Sequence, residues 1–432
     1  MSLTARALTL ICLAFALAIV GTWSEDPTVS QFWKFAAALV LLGLATEGFL
    51  IIRTRISLDV AVPARGYLGR SHRIAFVFQN AGRRAVAIEY APAMPPGIAV
   101  PGDTRHVVAV PGAVSTDPYD VVPTRLGEKS WPTIDARLRG PLGLAWWPRK
   151  LPVTTQFTVG PDLLGDAPNR EALAESGIAN ARARGSGGDL LQLRDYQPGD
   201  PLHRIDWKAT ARRGALVTRE YLEDQHLDIV IGLDCGRASR LEAGQLDRLG
   251  AYANVAARFA EHAILQDDSI GLVVFAERPQ HVIAPSRGQG ALIKMRRALE
   301  KLAPRQAETS LLEAALRISQ VARHRSLVVL FTDLDEAALA GELVRAVRLL
   351  QQRHMTIVAG LLSEEVAALE RRTSTDWLDP YVSLAASEGQ SRRRANLAAL
   401  RARGAHVIAA RPQELENAVM QAYTRLRRER RI

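Results

Sequence analysis

The stretch LDIVIGLD, residues 227–234, decides the fold class of the C-terminal half of the chain. It is apolar at almost every position, which is typical of a strand that is buried on both faces of a sheet. Similar runs follow, separated by amphipathic helical patterns, at 269–276, 326–333, 355–362 and 406–410. This alternation predicts an open α/β sheet of mostly parallel strands over residues 227–432. The run at 280–285 is expected to add an antiparallel edge strand.

Polar side chains stand where these predicted strands end. Asp234 closes the first strand, Asp333 closes a later one, and Thr309 comes just before a predicted helix. Because such sheets bind ligands beyond the carboxyl ends of their strands, we expect the three side chains to meet at one edge. Oxygen ligands of this kind suit Mg²⁺. The residues therefore predict either a metal site or a purely structural cluster, and the structural interpretation is preferred.

A dense run of charge precedes the predicted sheet. Residues 185–224 read GSGGDLLQLRDYQPGDPLHRIDWKATARRGALVTREYLED, with no Walker loop and no dinucleotide fingerprint. The preferred interpretation is a buried ion network anchored by Trp207, with a tight turn at PGD. The other is an exposed docking surface, where arginine and tryptophan are frequent hot spots. The candidate partner-binding residues in this run are Arg194, Asp195, Asp206, Trp207, Lys208 and Arg212.

The core of this run, RDYQPGDPLHRIDWKATARRG at 194–214, resembles the hallmark of the domain of unknown function 58 (DUF58) family. These are bacterial proteins that often carry an N-terminal membrane hairpin. The resemblance implies a partner, a MoxR-type AAA+ ATPase, and a chaperone-like role in the assembly or maturation of other complexes. Since this chain has no nucleotide-binding loop of its own, ATP-driven work is expected to come from that partner.

The Asp234, Thr309 and Asp333 cluster resembles the von Willebrand factor A fold, a Rossmann-type α/β domain. Its metal-ion-dependent adhesion site uses an Asp-x-Ser-x-Ser loop, a threonine and a later aspartate. Here the loop reads DCGRAS, so Gly236 and Ala238 take the places of the two serines. The resemblance implies a degenerate site that binds Mg²⁺ weakly or not at all. Asp234, Thr309 and Asp333 are also candidates for the partner-docking edge.

Catalytic constellations are scarce in the sequence. Its nine histidines are scattered, without an HExxH motif, and there is no GxSxG elbow. His203 is interpreted as a structural hydrogen-bonding residue, and Cys235 as a small buried residue after a core strand. We therefore expect a non-enzymatic adaptor with no cofactor. The alternative is a membrane-bound, Mg²⁺-dependent enzyme that acts on a phosphate-containing substrate.

Two apolar runs near the N-terminus predict a transmembrane hairpin within residues 1–56. Residues 7–23 and 32–52 each approach the roughly 20 residues that cross a bilayer. Arginines flank the pair at Arg6 and Arg53, and the short connection holds Glu25 and Asp26. By the positive-inside rule we expect a multi-pass protein of the bacterial inner membrane with its soluble domains in the cytoplasm.

One carboxylate, Glu47, lies inside the second apolar run. We interpret it as an interfacial partner of Arg53 or a snorkelling group, in preference to a functional intramembrane carboxylate.

Between the hairpin and the α/β domain the pattern changes to short strands. Residues 57–162 are rich in valine, glycine and proline and predict a small, antiparallel β-sandwich-like domain. Residues 163–226 then form a connecting segment that contains the charged run. The role of the β domain, as binding module or spacer, stays open.

The net charge of +10 over 432 residues suits anionic partners. Lipid of the cytoplasmic leaflet is the simplest one for a chain with membrane helices. Nucleic acid is not expected, because no aromatic-plus-basic stacking motif accompanies the charge. The two cysteines lie far apart and imply no disulfide.

Overall fold

The structure is a computed structural model. It describes residues 1–23, 31–99, 103–162, 184–222, 226–335, 340–362, 369 and 377–429. The predicted loop carboxylates Glu25 and Asp26 lie outside these residues. The chain forms an N-terminal unit of residues 1–162, 245–250 and 299–303, and a C-terminal unit of residues 163–244, 251–298 and 304–432.

Both predicted apolar helices are present in the N-terminal unit. Helix α1 spans Ala5–Trp23 and helix α2 spans Phe32–Arg53. Each is long and apolar enough to cross a membrane. Most of their large apolar side chains are exposed, from Leu8 in α1 to Ile52 in α2, which gives the pair an apolar outer surface.

The rest of the N-terminal unit is mostly β-structure, as predicted. Its strands are β1 (Ser2–Leu3), β2 (Ile56–Ala61), β3 (Gly66–Tyr67), β4 (His72–Asn80), β5 (Val86–Tyr90), β6 (Ile98–Ala99), β7 (Arg105–Ala109), β8 (Val114–Pro123), β9 (Gly127–Ser130), β10 (Ile134–Arg139), β11 (Ala145–Leu151) and β12 (Gln156–Gly160).

These strands form three sheets, in the orders β1-β11-β10-β5-β7, β2-β4-β8-β6 and β3-β12-β9. Phe76 and Phe78 of β4 pack on Tyr90 of β5, with ring centroids 5.5 Å and 5.0 Å apart, so the first two sheets share an aromatic core. The expectation of purely antiparallel pairing is wrong at one place, because β12 runs parallel to β3. Strand β1, which pairs with β11 ahead of the first helix, was not anticipated.

Glu47 has neither of the positions preferred from the sequence. Its side chain is fully buried, and Oε1 accepts hydrogen bonds from the backbone N–H groups of Gly143 (3.0 Å) and Leu144 (3.2 Å). Gly140 packs so closely on this carboxylate that a Cβ there would overlap it. Glu47 therefore holds the turn between β10 and β11, because a carboxylate buried beside free amides is stabilised by accepting their hydrogen bonds.

The C-terminal unit contains the predicted α/β sheet. Its strands are β15 (Asp228–Asp234), β18 (Ser269–Phe275), β19 (Pro279–Ser286), β20 (Leu327–Phe331), β21 (Met355–Leu361) and β22 (His406–Ala410). Two short strands, β16 (Glu242–Ala243) and β17 (Leu246–Asp247), follow β15 in the chain and are not part of this sheet. The sheet order is β19-β18-β15-β20-β21-β22. All neighbours are parallel except β19, which is the antiparallel edge strand expected at 280–285.

Helices cover this sheet. They are α4 (Arg248–Leu265), α5 (Gln289–Leu299), α6 (Leu311–Val321), α7 (Ala340–Gln351), α8 (Asp379–Ala402) and α9 (Leu415–Arg428). On one face, Val230 and Val328 pack in a single core with Ile318 of α6 and Val347 of α7. On the other, Phe259 of α4 meets Tyr423 of α9 edge to face at 5.3 Å. Burial of alternate strand residues against both layers explains the continuous apolar runs in the sequence.

A hairpin precedes the sheet. Strand β13 (Arg184–Asp195) pairs antiparallel with β14 (Val217–Leu222), and a short helix, α3 (Trp207–Arg213), lies between them. The turn predicted at PGD is present, with Gly199 at φ 108°, a value that only glycine adopts freely. The charged run of the sequence is therefore one β-hairpin with a helical insertion.

Candidate functional site

The strand order places a crevice between β15 and β20. These adjacent strands continue to opposite sides of the sheet, β15 to β18 and β20 to β21, and a reversal of this kind opens a crevice at the carboxyl edge. Asp234 ends β15, and Thr332 and Asp333 follow β20. Thr309 stands just before α6 and reaches the same edge. The predicted meeting of Asp234 with Thr309 is thus confirmed.

Hydrogen bonds occupy both oxygens of the Asp234 carboxylate. Oδ1 accepts from the Thr309 hydroxyl and from the backbone N–H of Gly236, each at 2.8 Å. Oδ2 accepts from the Thr332 hydroxyl, also at 2.8 Å. Asp234 is only 3% exposed, and both threonines are buried. The carboxylate therefore fastens two loops to the end of β15.

Thr332 was missed by the sequence analysis. It is fully buried and donates one of the three hydrogen bonds that Asp234 accepts. The signal for it was a hydroxyl residue immediately before Asp333 at a strand end.

The loop after β15 leaves no room for the serine of an adhesion-type metal site. A Cβ at Gly236 would overlap the Thr309 hydroxyl oxygen. Ser239, the residue one position out of register, donates its hydroxyl to the backbone oxygen of Gly236 at 2.6 Å and faces its own loop. Thr309 and Asp234 are thus in direct hydrogen-bond contact in the space beside Gly236.

Asp333 is buried and forms a hydrogen bond within the turn that follows β20. Its Oδ1 accepts the backbone N–H of Asp335 at 2.8 Å, and Asp335 forms an ion pair with Arg393 of α8 at 2.9 Å. Among the described residues, no group of three or more His, Cys, Asp or Glu side chains is arranged to hold a metal ion. Mg²⁺ needs a near-octahedral set of free oxygens, so the cluster as arranged does not fit this ion.

Burial governs the protonation of this edge. Removal from water raises the pKa of Asp234 above its usual range, against the lowering effect of its hydrogen bonds from Gly236, Thr309 and Thr332. Burial likewise raises the pKa of Cys235, the next residue, to about 12. A thiol with this pKa carries almost no thiolate near neutral pH, so Cys235 fits the structural role expected from the sequence.

The hairpin insertion between β13 and β14 is exposed. Trp207 is 66% exposed and Leu202 is 69% exposed, and Leu193 and Leu216 are also on the surface. The interpretation of Trp207 as the apolar anchor of a buried ion network is therefore wrong. Asp195, Lys208 and Arg212 are exposed as well, while Arg194 and Asp206 are half-buried.

Charged residues of the hairpin bond to one another and to the backbone. Arg194 forms an ion pair with Asp200 at 2.7 Å, which lowers the pKa of that carboxyl. Asp206 caps α3 by accepting the N–H groups of Lys208 and Ala209, and it pairs with Arg219 of β14 at 2.9 Å. The bond from Arg219 is the main reason that the pKa of Asp206 is lowered. Local ion pairs thus shape the hairpin while its large apolar side chains face solvent.

The described residues define a chain with two N-terminal apolar helices, a mostly β region and an open α/β sheet. Residues 192–380, which include the end of β13, the rest of the hairpin and most of the sheet, match the family described as "Protein of unknown function DUF58". This match confirms the resemblance of the charged run to that family.

Similarity to solved structures is distant. The conserved hypothetical protein BatB from Bacteroides thetaiotaomicron is 19% identical over 32% of this chain and 68% of its own, with a TM-score of 0.26. An uncharacterized membrane spanning protein from Vibrio fischeri is 16% identical over 46% of this chain and 98% of its own, with a TM-score of 0.20. No curated protein matches the chain.

Proposed function

We propose that this protein is a non-enzymatic, membrane-anchored adaptor whose C-terminal unit holds a protein partner. In this proposal α1 and α2 cross the bacterial inner membrane, and both soluble regions face the cytoplasm. Arg6, at the start of α1, and Arg53, at the end of α2, support this orientation, because basic residues that flank membrane helices favour the cytoplasmic side. The protein works without a bound cofactor.

The observation that carries the proposal is the exposed hairpin insertion. Trp207, Leu202 and Leu216 are exposed on it, in the same segment as the exposed Lys208 and Arg212, and Leu193 of β13 is exposed as well. Exposed tryptophan next to basic side chains is the composition of interface hot spots. Because the ion pairs around Asp200 and Asp206 fix the backbone of the insertion, the surface is organised before a partner binds, which lowers the entropic cost of docking.

The Asp234 edge has a supporting role in this proposal. Asp234, Thr309 and Asp333 are buried, so their side chains cannot touch a partner directly. They stabilise the loops at the carboxyl edge, and exposed residues of those loops, such as Arg237 and Glu308, border the edge. We therefore assign the contact surface to the hairpin and a scaffolding role to the three buried residues.

The partner is proposed to be a MoxR-type AAA+ ATPase, on the strength of the resemblance to the DUF58 family. The α/β unit, taken as von Willebrand factor A-like, would be a scaffold for the hairpin. The complex that the pair would assemble or mature is a protein assembly, since nothing in the composition favours nucleic acid.

The test is affinity capture of the tagged full-length protein from native membranes after mild crosslinking. We expect an AAA+ ATPase in near-stoichiometric amount with the wild-type chain. Trp207→Ala is expected to reduce recovery at least tenfold, because a central tryptophan typically contributes about 2 kcal/mol or more to an interface. Leu265→Ala is the matched control, since Leu265 is 65% exposed and lies in α4, outside the hairpin.

Two outcomes would contradict the proposal. Recovery of no AAA+ ATPase under any nucleotide condition would contradict the proposed partner. Equal recovery with Trp207→Ala and Leu265→Ala would remove the hairpin as the docking surface.

A further inference from the structure

A cavity of about 260 Å³ lies where α2 ends in the N-terminal unit. It is bordered by the last turn of α2, the loop between β4 and β5, and the end of β10. Its basic lining residues are Arg53, Arg83, Arg84 and Arg139. Its apolar lining includes Leu50, Ile51 and Pro141.

The first wall is built by a buried asparagine. Asn80 donates to the backbone oxygens of Arg84 at 2.8 Å and Ala109 at 2.9 Å, and its side-chain oxygen accepts the N–H of Gly82 at 2.8 Å. Ala81 N–H donates to the backbone oxygen of Arg55, just beyond α2, at 3.0 Å. The loop that carries Arg83 and Arg84 is therefore fixed against the end of the helix by backbone contacts.

The second wall is the turn held by Glu47. This carboxylate binds the N–H groups of Gly143 and Leu144, and the Thr4 hydroxyl donates to the Gly143 oxygen at 2.6 Å. Thr4 comes immediately before α1 and Glu47 lies in α2, so a residue at each apolar helix forms hydrogen bonds with the same turn. Arg139, the last residue of β10, comes just before this turn and lines the cavity together with the last turn of α2.

The charge in the cavity is uncompensated. None of its lining residues is acidic, and the four arginines make no ion pair with any described residue. Four arginines around one opening, with no carboxylate among its lining residues, give it a positive potential that favours an anion. Arginine is also the side chain best suited to recognise phosphate, because its planar donors pair with two oxygens at once.

Apolar surface adjoins the cavity on the membrane side. Phe49, Leu50 and Ile52 are exposed on the last turns of α2. Arg53 lies over the Phe49 ring, with its guanidinium carbon 4.0 Å from the ring centroid. A ligand with an anionic head and hydrocarbon tails would satisfy both parts of this surface.

We propose that this cavity binds the phosphate headgroup of an anionic phospholipid, with the acyl chains along Phe49, Leu50 and Ile52. The inference rests on the proposed membrane anchor but not on the partner. The bound lipid would bridge α2 and the β region, and the protein would sit preferentially in membrane rich in anionic lipid.

The test is native mass spectrometry of the full-length protein in detergent, titrated with phosphatidylglycerol or phosphatidylcholine. We expect wild type to retain phosphatidylglycerol selectively. Arg83→Gln/Arg84→Gln is expected to bind it roughly 30-fold more weakly, which corresponds to about 1 kcal/mol per arginine. The Asn80 bonds reach only backbone atoms of this loop, so the variant should keep its fold.

The control Arg345→Gln/Arg348→Gln removes the same charge from exposed positions of α7 and should bind like wild type. Equal binding of both lipids by a chain that resists alkaline carbonate extraction would overturn the lipid site alone. An equal loss in both double variants, or complete displacement of the lipid by inorganic phosphate, would overturn it too. Release of the wild-type chain by carbonate would overturn the anchor and this inference together.

Discussion

Replacement of Asp234 by alanine should open the carboxyl edge of the sheet. The carboxylate accepts three hydrogen bonds of 2.8 Å, from Gly236, Thr309 and Thr332. Alanine leaves a buried amide and two buried hydroxyls without this acceptor. Asparagine keeps the acceptor at Oδ1, and the Thr332 hydroxyl can rotate to accept from the new amide group.

The magnitude follows from the number of donors left unpaired. A buried donor without a partner costs about 1–3 kcal/mol, and hydroxyls recover part of this by rotation. Relief from burying a charge offsets a further part. We expect Asp234→Ala to cost about 3 kcal/mol and Asp234→Asn to cost about 1 kcal/mol.

Cys235 supplies the assay. It is buried next to Asp234, and the other cysteine, Cys12, is exposed and can be replaced by serine. Thiol labelling of Cys235 under native conditions then reports how often the edge opens. Relative to wild type, the rate should rise by roughly 150-fold for alanine and about fivefold for asparagine, after normalisation to the rate in urea. Equal rates in the two variants would refute the hydrogen-bond argument.

Three further predictions concern the stability of the C-terminal unit. Folding raises the pKa of Asp234. The stability that this shift contributes is complete below the unfolded pKa of 3.8 and is lost as the pH rises through the folded pKa. The stability advantage of wild type over Asp234→Asn should therefore shrink with rising pH. Gly236→Ser, which puts a serine back in the loop, should cost about 1–3 kcal/mol because it displaces Thr309. Tyr423→Phe should cost about 1–2 kcal/mol, since its hydroxyl donates at 2.5 Å to the fully buried Asp268; no change in urea midpoint would contradict that assignment.

Periodicity and local signals determined the elements. The continuous apolar runs ending in Asp234 and Asp333 identified core strands, because strands buried between helix layers need apolar side chains on both faces. The two long apolar runs identified α1 and α2, because uninterrupted apolar runs of about 20 residues favour helices long enough to cross a bilayer. The turn at Pro198–Asp200 was predictable from the Pro-Gly-Asp sequence, because proline and glycine favour tight turns. Gly199 adopts the positive φ that glycine permits.

Burial and partnership were decided by the tertiary structure. The sequence left Trp207 open between a buried anchor and an exposed docking residue, and the structure places it on the surface, while the ion pairs of Asp200 and Asp206 form without it. From the sequence, Glu47 was interpreted as an interfacial charge. It is buried instead, because a turn distant in sequence brings two backbone N–H groups to its carboxylate.

The carboxyl edge depends on the same kind of distant contact. Its residue types could be predicted from strand ends, since parallel strands bring their carboxyl ends to one edge. That Thr309 fills the space beside Gly236 could not be predicted, because it depends on a loop separated by many residues in sequence. The sequence therefore determined which elements form and where a cluster lies, and the packing of distant segments decided that its carboxylate serves as a structural acceptor.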